Sequence, residues 1–100
     1  MRLLVIYDIS DNGLRVRACE LLKDFGFERV QYSAYAGDLT RNRRGMLEIS
    51  VDGLLERDVR RQPTDRVYVM QLCDTCFDGA RFHGDEAHFP DQRRDRFTII

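Results

Sequence analysis

The sequence predicts an α+β domain, with two helices on one face of a small, mostly antiparallel sheet. Three observations predict this arrangement. Apolar residues run without interruption over residues 3–6, repeat with the period of a helix in two segments, and alternate with the period of a strand in two others. The chain of 100 residues has the size of one domain, and it contains no internal repeat or low-complexity segment.

The first predicted element is a buried central strand over Leu3–Ser10. Four aliphatic residues are followed by Tyr7 and Asp8, and turn residues come next at 11–13. An apolar run bounded by turn residues is typical of a strand buried on both faces. Asp8 is therefore expected where this strand reaches the surface. That position suits a metal ligand or a general base, and it equally suits a residue that caps the next helix.

A first helix is predicted over Asp11–Phe25. The residues at 10–13 are of the kind that cap helix N-termini, and Gly26 stands where helices often end. Apolar residues recur on one side of this segment, at Leu14, Ala18, Leu21, Leu22 and Phe25.

Residues 27–39 alternate with the period of a strand. The segment is long enough for two short strands with a break near Ser33 or Gly37. Strict alternation puts Arg29, Gln31, Ser33 and Tyr35 on one polar and aromatic face, away from the core.

A second helix is predicted over about Arg43–Arg61, ended by Pro63 and Asp65. Its apolar stripe consists of Met46, Leu47, Val51, Leu54, Leu55 and Val59. Residues 49–51 also fit a strand, but a stripe sustained over four turns favours the helix.

A strand is predicted over residues 66–72, with Val67, Val69 and Gln71 on one face. From Cys73 onward the sequence is polar and typical of a loop. We expect a core at 1–73 and a tail at 74–100 within the same domain. The apolar end, Phe97–Ile100, is expected to pair as a strand with its own sheet or across a dimer. This order of elements predicts a ferredoxin-like α/β sandwich.

The bulk composition indicates a cytoplasmic protein with no membrane span. The sequence has no apolar run long enough to cross a bilayer and no signal-peptide pattern at its start. Its three cysteines fit a reducing compartment better than a disulfide framework. The net charge of −1 gives no global sign of a nucleic-acid partner. Yet Lys23 is the single lysine among 16 basic residues, and arginine suits phosphate recognition, although a codon bias explains the same count.

Several side chains are candidates for a nucleic-acid site. Arg15, Arg17 and Arg29 are expected to lie close together near a helix N-terminus, where they could hold a phosphate chain or simply be solvated. Three aromatic residues, Tyr7, Tyr32 and Tyr35, could stack on bases, although strand aromatics more often pack in a core. A zinc site built from Cys73, Cys76, His83 and His88 is disfavoured, because its spacing is not a standard pattern.

Residues 5–11, Arg15, Arg17 and residues 21–40 together closely resemble the second CRISPR-associated protein family, the small proteins of spacer acquisition. The strand ending in Tyr7-Asp8 and the segment Arg29-Val30-Gln31-Tyr32-Ser33 carry the resemblance, and residues 67–73 match the family's later strand. The resemblance covers most of residues 1–73. Tyr35 stands where many members have phenylalanine, and Ala34 where many have valine.

The resemblance implies a ferredoxin-like homodimer with the two strand-1 aspartates facing each other, and an Mg²⁺-dependent endonuclease acting on single-stranded RNA or double-stranded DNA. Asp8 would be the metal ligand, and Tyr7 would join it in the catalytic site. The expected nucleic-acid-binding residues are Arg15, Arg17, Arg29, Ser33 and Tyr35.

Two other functions stay open from the sequence. The family's dimer also serves as a non-catalytic scaffold that bridges the CRISPR integrase and protospacer DNA, with the C-terminal tail docking the integrase. A ferredoxin-like RNA-binding module without a CRISPR link is the third, although the aromatic-rich consensus of the usual RNA-recognition sheet is missing.

Overall fold

A computed structural model describes residues 1–81 and residue 83 of the protein. The predicted terminal strand Phe97–Ile100 and His88 lie outside the described residues. The elements, in chain order, are β1 (Arg2–Asp8), α1 (Asn12–Asp24), β2 (Glu28–Gln31), β3 (Ala34–Asp38), α2 (Arg41–Arg57), β4 (Arg66–Leu72) and α3 (Asp74–Asp78). The four strands form one antiparallel sheet in the order β2-β3-β1-β4. The α+β ferredoxin-like prediction is confirmed.

Strand β1 lies inside the sheet and alternates between two environments. Leu3, Val5 and Tyr7 are at most 4% exposed and belong to the main core. The helices contribute Leu14, Ala18 and Leu22 from α1, and Leu47, Val51 and Leu54 from α2. Since successive strand residues point to opposite faces, Asp8 lies on the face away from these helices. We call that second face the open face of the sheet.

Helix α1 agrees with its predicted bounds. Asp11 is the N-cap, and its Oδ2 accepts a hydrogen bond from the Leu14 amide at 2.9 Å. Phe25 is the C-cap, and Gly26 follows with φ 86, in the left-handed region that favours glycine. Both ends were predictable because the capping residues act within their own turn.

Helix α2 differs from its predicted bounds at both ends. It begins at Arg41, because the Thr40 hydroxyl caps it by accepting from the Arg43 amide at 3.2 Å. It ends at Arg57, four residues before the predicted end, where Asp58 turns extended and its Oδ1 accepts from the Arg60 amide at 2.8 Å. An aspartate that binds the backbone two residues ahead competes with helix continuation. Val59, assigned to the apolar stripe, is 96% exposed.

Residues 27–39 form two strands, and the predicted break near Ser33 is confirmed. Arg29 and Tyr35 face each other across β2 and β3, so they share a face as predicted. The prediction that this face lies away from the core is wrong, because Tyr35 is fully buried. A tyrosine ring can enter a core when its hydroxyl finds a partner, and here Arg29 provides one.

Strand β4 has its predicted bounds and pairs along the full length of β1. Val67 and Val69 pack against the main core. Gln71 lies on the same face, since its Oε1 accepts from Arg44 of α2 at 3.1 Å. On the open face, Tyr68 is 48% exposed and Met70 is 37% exposed.

A short helix, α3, replaces the loop expected directly after Cys73. Phe77 from this helix is buried on the open face with Ala36, and Leu4, Val30 and Leu72 pack against the pair. Five residues are too few to show a helical period, so residues 74–78 carry no pattern that predicts α3. No helix within residues 1–81 combines the length and the apolar character needed to cross a bilayer.

Candidate functional site

Asp8 lies at the end of the central strand, on the open face and exposed to solvent. Its partner in the sheet register is Arg66, the first residue of β4. The strand backbone is hydrogen-bonded on both sides up to Ile6, so the carboxylate projects from a rigid part of the fold. This placement agrees with the expectation that Asp8 sits where a buried strand reaches the surface.

The loop behind Asp8 is held by Asp65, which sequence reasoning treated only as a helix terminator. Asp65 is 3% exposed. Its Oδ1 accepts from the Ser10 amide at 3.1 Å and its Oδ2 accepts from the Gln62 amide at 2.8 Å. The hydrogen bond from Gln62, followed by that from Ser10, lowers the pKa of the Asp65 carboxyl. Asp65 thus ties the loop after β1 to the turn before β4.

Arg15 braces the same loop from the other side. Its guanidinium donates to the carbonyl oxygens of Ile9 at 2.8 Å and Ser10 at 3.1 Å, and it also bonds Asn12. Because these contacts use backbone acceptors next to Asp8, Arg15 helps to set the direction in which the strand leaves the sheet. Its position near Asp8 was expected, but its structural part in the loop was not.

Arg17 lies apart from Arg15 and Arg29, contrary to the expectation that the three would form one group. Residues two apart on a helix do not share a face. Arg17 lines a cavity of about 460 Å³ between α1 and α2, and neither Arg15 nor Arg29 lines that cavity. Its guanidinium pairs with Asp58 at 3.2 Å, and the side-chain bond from Arg60, with Arg17 as a smaller contributor, holds the pKa of Asp58 well below its usual range.

A second cavity, of about 370 Å³, lies between α1 and the β2–β3 end of the sheet. Cationic side chains enter it from Arg15, Lys23 and Arg29, and Tyr32 forms part of its wall. The remaining lining residues are Tyr7, Asn12, Val16, Cys19 and Glu20. We call this cavity the arginine cleft. It brings together two of the three predicted arginines and adds Lys23, which sequence reasoning did not select.

Arg29 is the centre of a bonded cluster in the arginine cleft. Its Nε and Nη2 donate to the Tyr35 hydroxyl at 3.0 and 2.8 Å. That hydroxyl in turn donates to Cys19 Sγ at 2.9 Å. Burial, followed by the bond to Cys19, raises the pKa of Tyr35, so its hydroxyl stays protonated. These bonds fix the guanidinium at the edge of the core.

The predicted aromatic residues divide into two buried rings and one exposed ring. Tyr7 and Tyr35 stack with their centroids 5.9 Å apart, and both are at most 4% exposed, so they pack in the core. Tyr32 is 72% exposed and its ring lies 5.6 Å from the Arg29 guanidinium carbon. Among the three, Tyr32 therefore presents a ring to solvent.

Ser33 occupies the turn between β2 and β3. Its carbonyl oxygen accepts from the Tyr7 amide at 3.0 Å, and its own amide donates to Gln31 Oε1 at 3.3 Å. The backbone of Ser33 thus extends the sheet contact beside the last residues of β1.

The described residues hold no cluster of three or more histidine, cysteine or acidic side chains suited to a metal ion. Asp8 can supply one hard oxygen ligand, which fits part of a magnesium shell and not a complete protein site. The zinc alternative gains no support in this part of the chain, where Cys73 and Cys76 are exposed free thiols. Its fourth candidate ligand, His88, lies outside the described residues.

The amino-acid sequence is similar to proteins of one family. A family model described as CRISPR associated protein Cas2 matches residues 1–80. CRISPR-associated endoribonuclease Cas2 1 of Archaeoglobus fulgidus is 47% identical over 73 residues, covering 73% of this chain and 72% of that protein. The endoribonuclease Cas2 of Korarchaeum cryptofilum is 41% identical over 78 residues, covering 74% of each chain. A CRISPR-associated endonuclease Cas1/endonuclease Cas2 fusion of Thermoproteus tenax is 41% identical over 39 residues, which are 39% of this chain and 15% of the fusion.

Replacing Asp65 by asparagine is expected to weaken the fold in a pH-dependent way. The pKa of Asp65 is lowered in the folded state. Its stabilisation is therefore present above the unfolded pKa of about 4 and is lost as the pH falls through the folded value. Urea unfolding between about pH 3 and pH 7 should give the largest difference between wild type and Asp65→Asn at neutral pH, and a smaller one in acid.

The matched control is Asp52→Asn, which changes an exposed aspartate of α2. It should leave the unfolding midpoint nearly unchanged. A difference between wild type and Asp65→Asn that stays constant across the pH range would contradict the role assigned to the Asp65 carboxylate.

Proposed function

Because the chain belongs to the CRISPR-associated protein Cas2 family, we propose that it acts in CRISPR adaptation as a metal-dependent endonuclease with Asp8 at its centre. The position of Asp8 carries this proposal: it is an exposed carboxylate at the end of the central strand. The named relatives from Archaeoglobus and Korarchaeum are endoribonucleases, so single-stranded RNA is the first substrate to test, and duplex DNA the second. The odd number of cysteines, three, fits a reducing compartment such as the cytoplasm better than a disulfide framework.

The proposed active form is a homodimer that pairs through the open face. Tyr68 and Met70 are substantially exposed there, and their register partners in β1 are Ile6 and Leu4. An apolar sheet face of this kind is a common site of association between chains. Asp8 lies on the same face, so a two-fold axis near the end of β1 would bring two carboxylates together.

The two copies of Asp8 are the residues proposed to hold Mg²⁺. One carboxylate from each chain agrees with the preference of Mg²⁺ for few protein oxygens, with water and phosphate completing its shell. When bound, the ion supplies positive charge that polarises the scissile phosphate and favours attack by water. The chain's own contribution is to hold each carboxylate rigidly, through β1 pairing and through the Asp65 and Arg15 contacts of the following loop.

The arginine cleft is proposed to bind the nucleic-acid strand on the helix-covered side of the sheet, beside the end of β1 where Asp8 reaches the open face. A guanidinium has five N–H groups, and the bonds of Arg29 to Tyr35 leave donors for a phosphate oxygen. Lys23 adds a second cation, and the exposed ring of Tyr32 offers a surface for a base. Tyr7 and Tyr35 act in this proposal by packing beneath Arg29 rather than by touching the substrate. Arg17 and Ser33 are proposed to keep their predicted roles in binding nucleic acid.

A scaffold role in spacer integration is the second candidate, and the relative in which Cas1 and Cas2 are fused supports a Cas1 partner. The same dimer would serve both roles, since phosphate contacts hold DNA whether or not it is cut. A module with no CRISPR link is not favoured, because the family model covers residues 1–80.

Asp8→Asn is expected to abolish cleavage without disturbing the fold. The variant keeps the size of the side chain and removes the charge that holds the metal. Mutating a residue that only contacts a metal ligand already lowers metal affinity or activity by about 10- to 100-fold. For a direct ligand such as Asp8, we therefore expect the cleavage rate to fall by at least about 100-fold. The measurement is the rate of cleavage of a labelled single-stranded RNA in Mg²⁺, with circular dichroism as the check of folding. Asp52→Asn is the matched control, and cleavage by Asp8→Asn at the wild-type rate would refute the proposal.

Arg29→Gln is expected to reduce the salt dependence of binding to single-stranded RNA. Each phosphate contact contributes a slope of about −0.7 in log K against log salt for single strands. Removing one contact should make the slope shallower by about that amount. Arg41→Gln, at an exposed position that begins α2, should leave the slope unchanged. Equal slopes for Arg29→Gln and wild type would exclude Arg29 as a phosphate contact.

Spacer acquisition in cells carrying Asp8→Ala separates the two candidate functions. If cleavage is needed for adaptation, acquisition should stop although the variant still copurifies with Cas1. Acquisition at the wild-type level would assign adaptation to the scaffold and leave the nuclease with another use.

A further inference from the structure

Two cysteines that the proposed function does not use stand together where β4 passes into α3. Cys73 follows the last residue of β4, and Cys76 lies in the first turn of α3, with Asp74 and Thr75 between them. Both are exposed free thiols. Cys73 is the N-cap of the helix, and its Sγ accepts a hydrogen bond from the Cys76 amide at 3.2 Å. The Cys73 sulfur therefore lies against the residue that carries the second sulfur.

The backbone between the two cysteines is fixed to the sheet. Phe77, the residue after Cys76, is 7% exposed and packs on Ala36. Its amide donates to the Cys73 carbonyl at 2.9 Å. From β1, Arg2 lies over the Phe77 ring at 5.2 Å and pairs with Asp78 at 3.3 Å. These contacts hold the α3 backbone in place, so both thiols start from a fixed relative position.

We propose that Cys73 and Cys76 form a reversible dithiol–disulfide site that exchanges with low-molecular-weight disulfides of the glutathione class. The Cys73 thiolate attacks one sulfur of the small disulfide, which forms a mixed disulfide and releases one small thiolate. The Cys76 thiol loses its proton to solvent and attacks the Cys73 sulfur, which releases the second. Two electrons pass from the cysteine pair to the small disulfide, and the two leaving thiolates each take up a proton.

The environment assigns different roles to the two sulfurs. The bond from the Cys76 side chain, followed by that from its amide, lowers the pKa of Cys73. The same side-chain contact raises the pKa of Cys76. Since the thiolate is the nucleophile, Cys73 is the attacking sulfur and Cys76 the resolving one. Cys19 is only partly exposed and takes a bond from the Tyr35 hydroxyl at 2.9 Å, so it stands outside this site.

The test equilibrates the reduced full-length protein with glutathione buffers of stated thiol-to-disulfide ratio, followed by alkylation and mass spectrometry. We expect a disulfide between Cys73 and Cys76, with Cys19 alkylated throughout. Its equilibrium constant should be at least about tenfold larger in the folded protein than in the same chain in concentrated urea, because folding fixes the α3 backbone. Equal constants, or a disulfide that includes Cys19, would overturn the proposal.

Two variants complete the test. Cys76→Ser should trap glutathione on Cys73, and the absence of this adduct would refute the assignment of the attacking sulfur. Phe77→Ala removes the side chain that anchors α3 to the sheet. The equilibrium constant for forming the Cys73–Cys76 disulfide should then fall toward the value measured in urea, while circular dichroism reports an intact fold. A Phe77→Ala variant that folds and keeps the wild-type constant would show that the sheet does not prepare the pair, and would overturn the structural basis of the proposal.

Discussion

The pairing of β1 with strands on both sides is the constraint on which the rest of the structure depends. Backbone hydrogen bonds to β3 and β4 fix its register, and period-two alternation then decides the surroundings of each side chain. Tyr7 enters the main core while its neighbour Asp8 reaches the opposite face. A shift of one residue would exchange the two, burying a carboxylate and exposing a ring. The candidate active site is therefore a consequence of strand register.

Polar contacts outside the sheet keep the end of β1 in place. Asp65 binds the Ser10 amide, and Arg15 binds the carbonyl oxygens of Ile9 and Ser10. The backbone groups of this loop have left the sheet ladder, and a backbone group without a partner is costly when buried. These side chains satisfy them and at the same time fix the backbone that follows Asp8. Stability and the geometry of the candidate site thus depend on the same contacts.

The two faces of the sheet are suited to different tasks. The helix-covered face ends in the arginine cleft, where a buried tyrosine hydroxyl orients Arg29. The open face carries Asp8 and exposed apolar residues of β4, with part of it covered by α3 through Phe77. The exposed apolar area, the carboxylate and the cysteine pair all belong to this second face or its margin. An event that moves α3 would therefore act on the face proposed for dimerisation.

The sequence by itself determined the order of the elements from β1 to β4, the central place of β1, the position of Asp8 and the limits of α1, because periodicity and capping act within a few residues. Tertiary structure decided what depends on residues far apart in the chain. The bond that joins Asp65 to Ser10 spans 55 positions, and the burial of Tyr35 depends on partners from β2 and α1. The separation of Arg17 from Arg29 and the anchoring of α3 by Arg2 likewise arise from packing. Local patterns cannot encode such contacts, since their partners become neighbours only when the chain has folded.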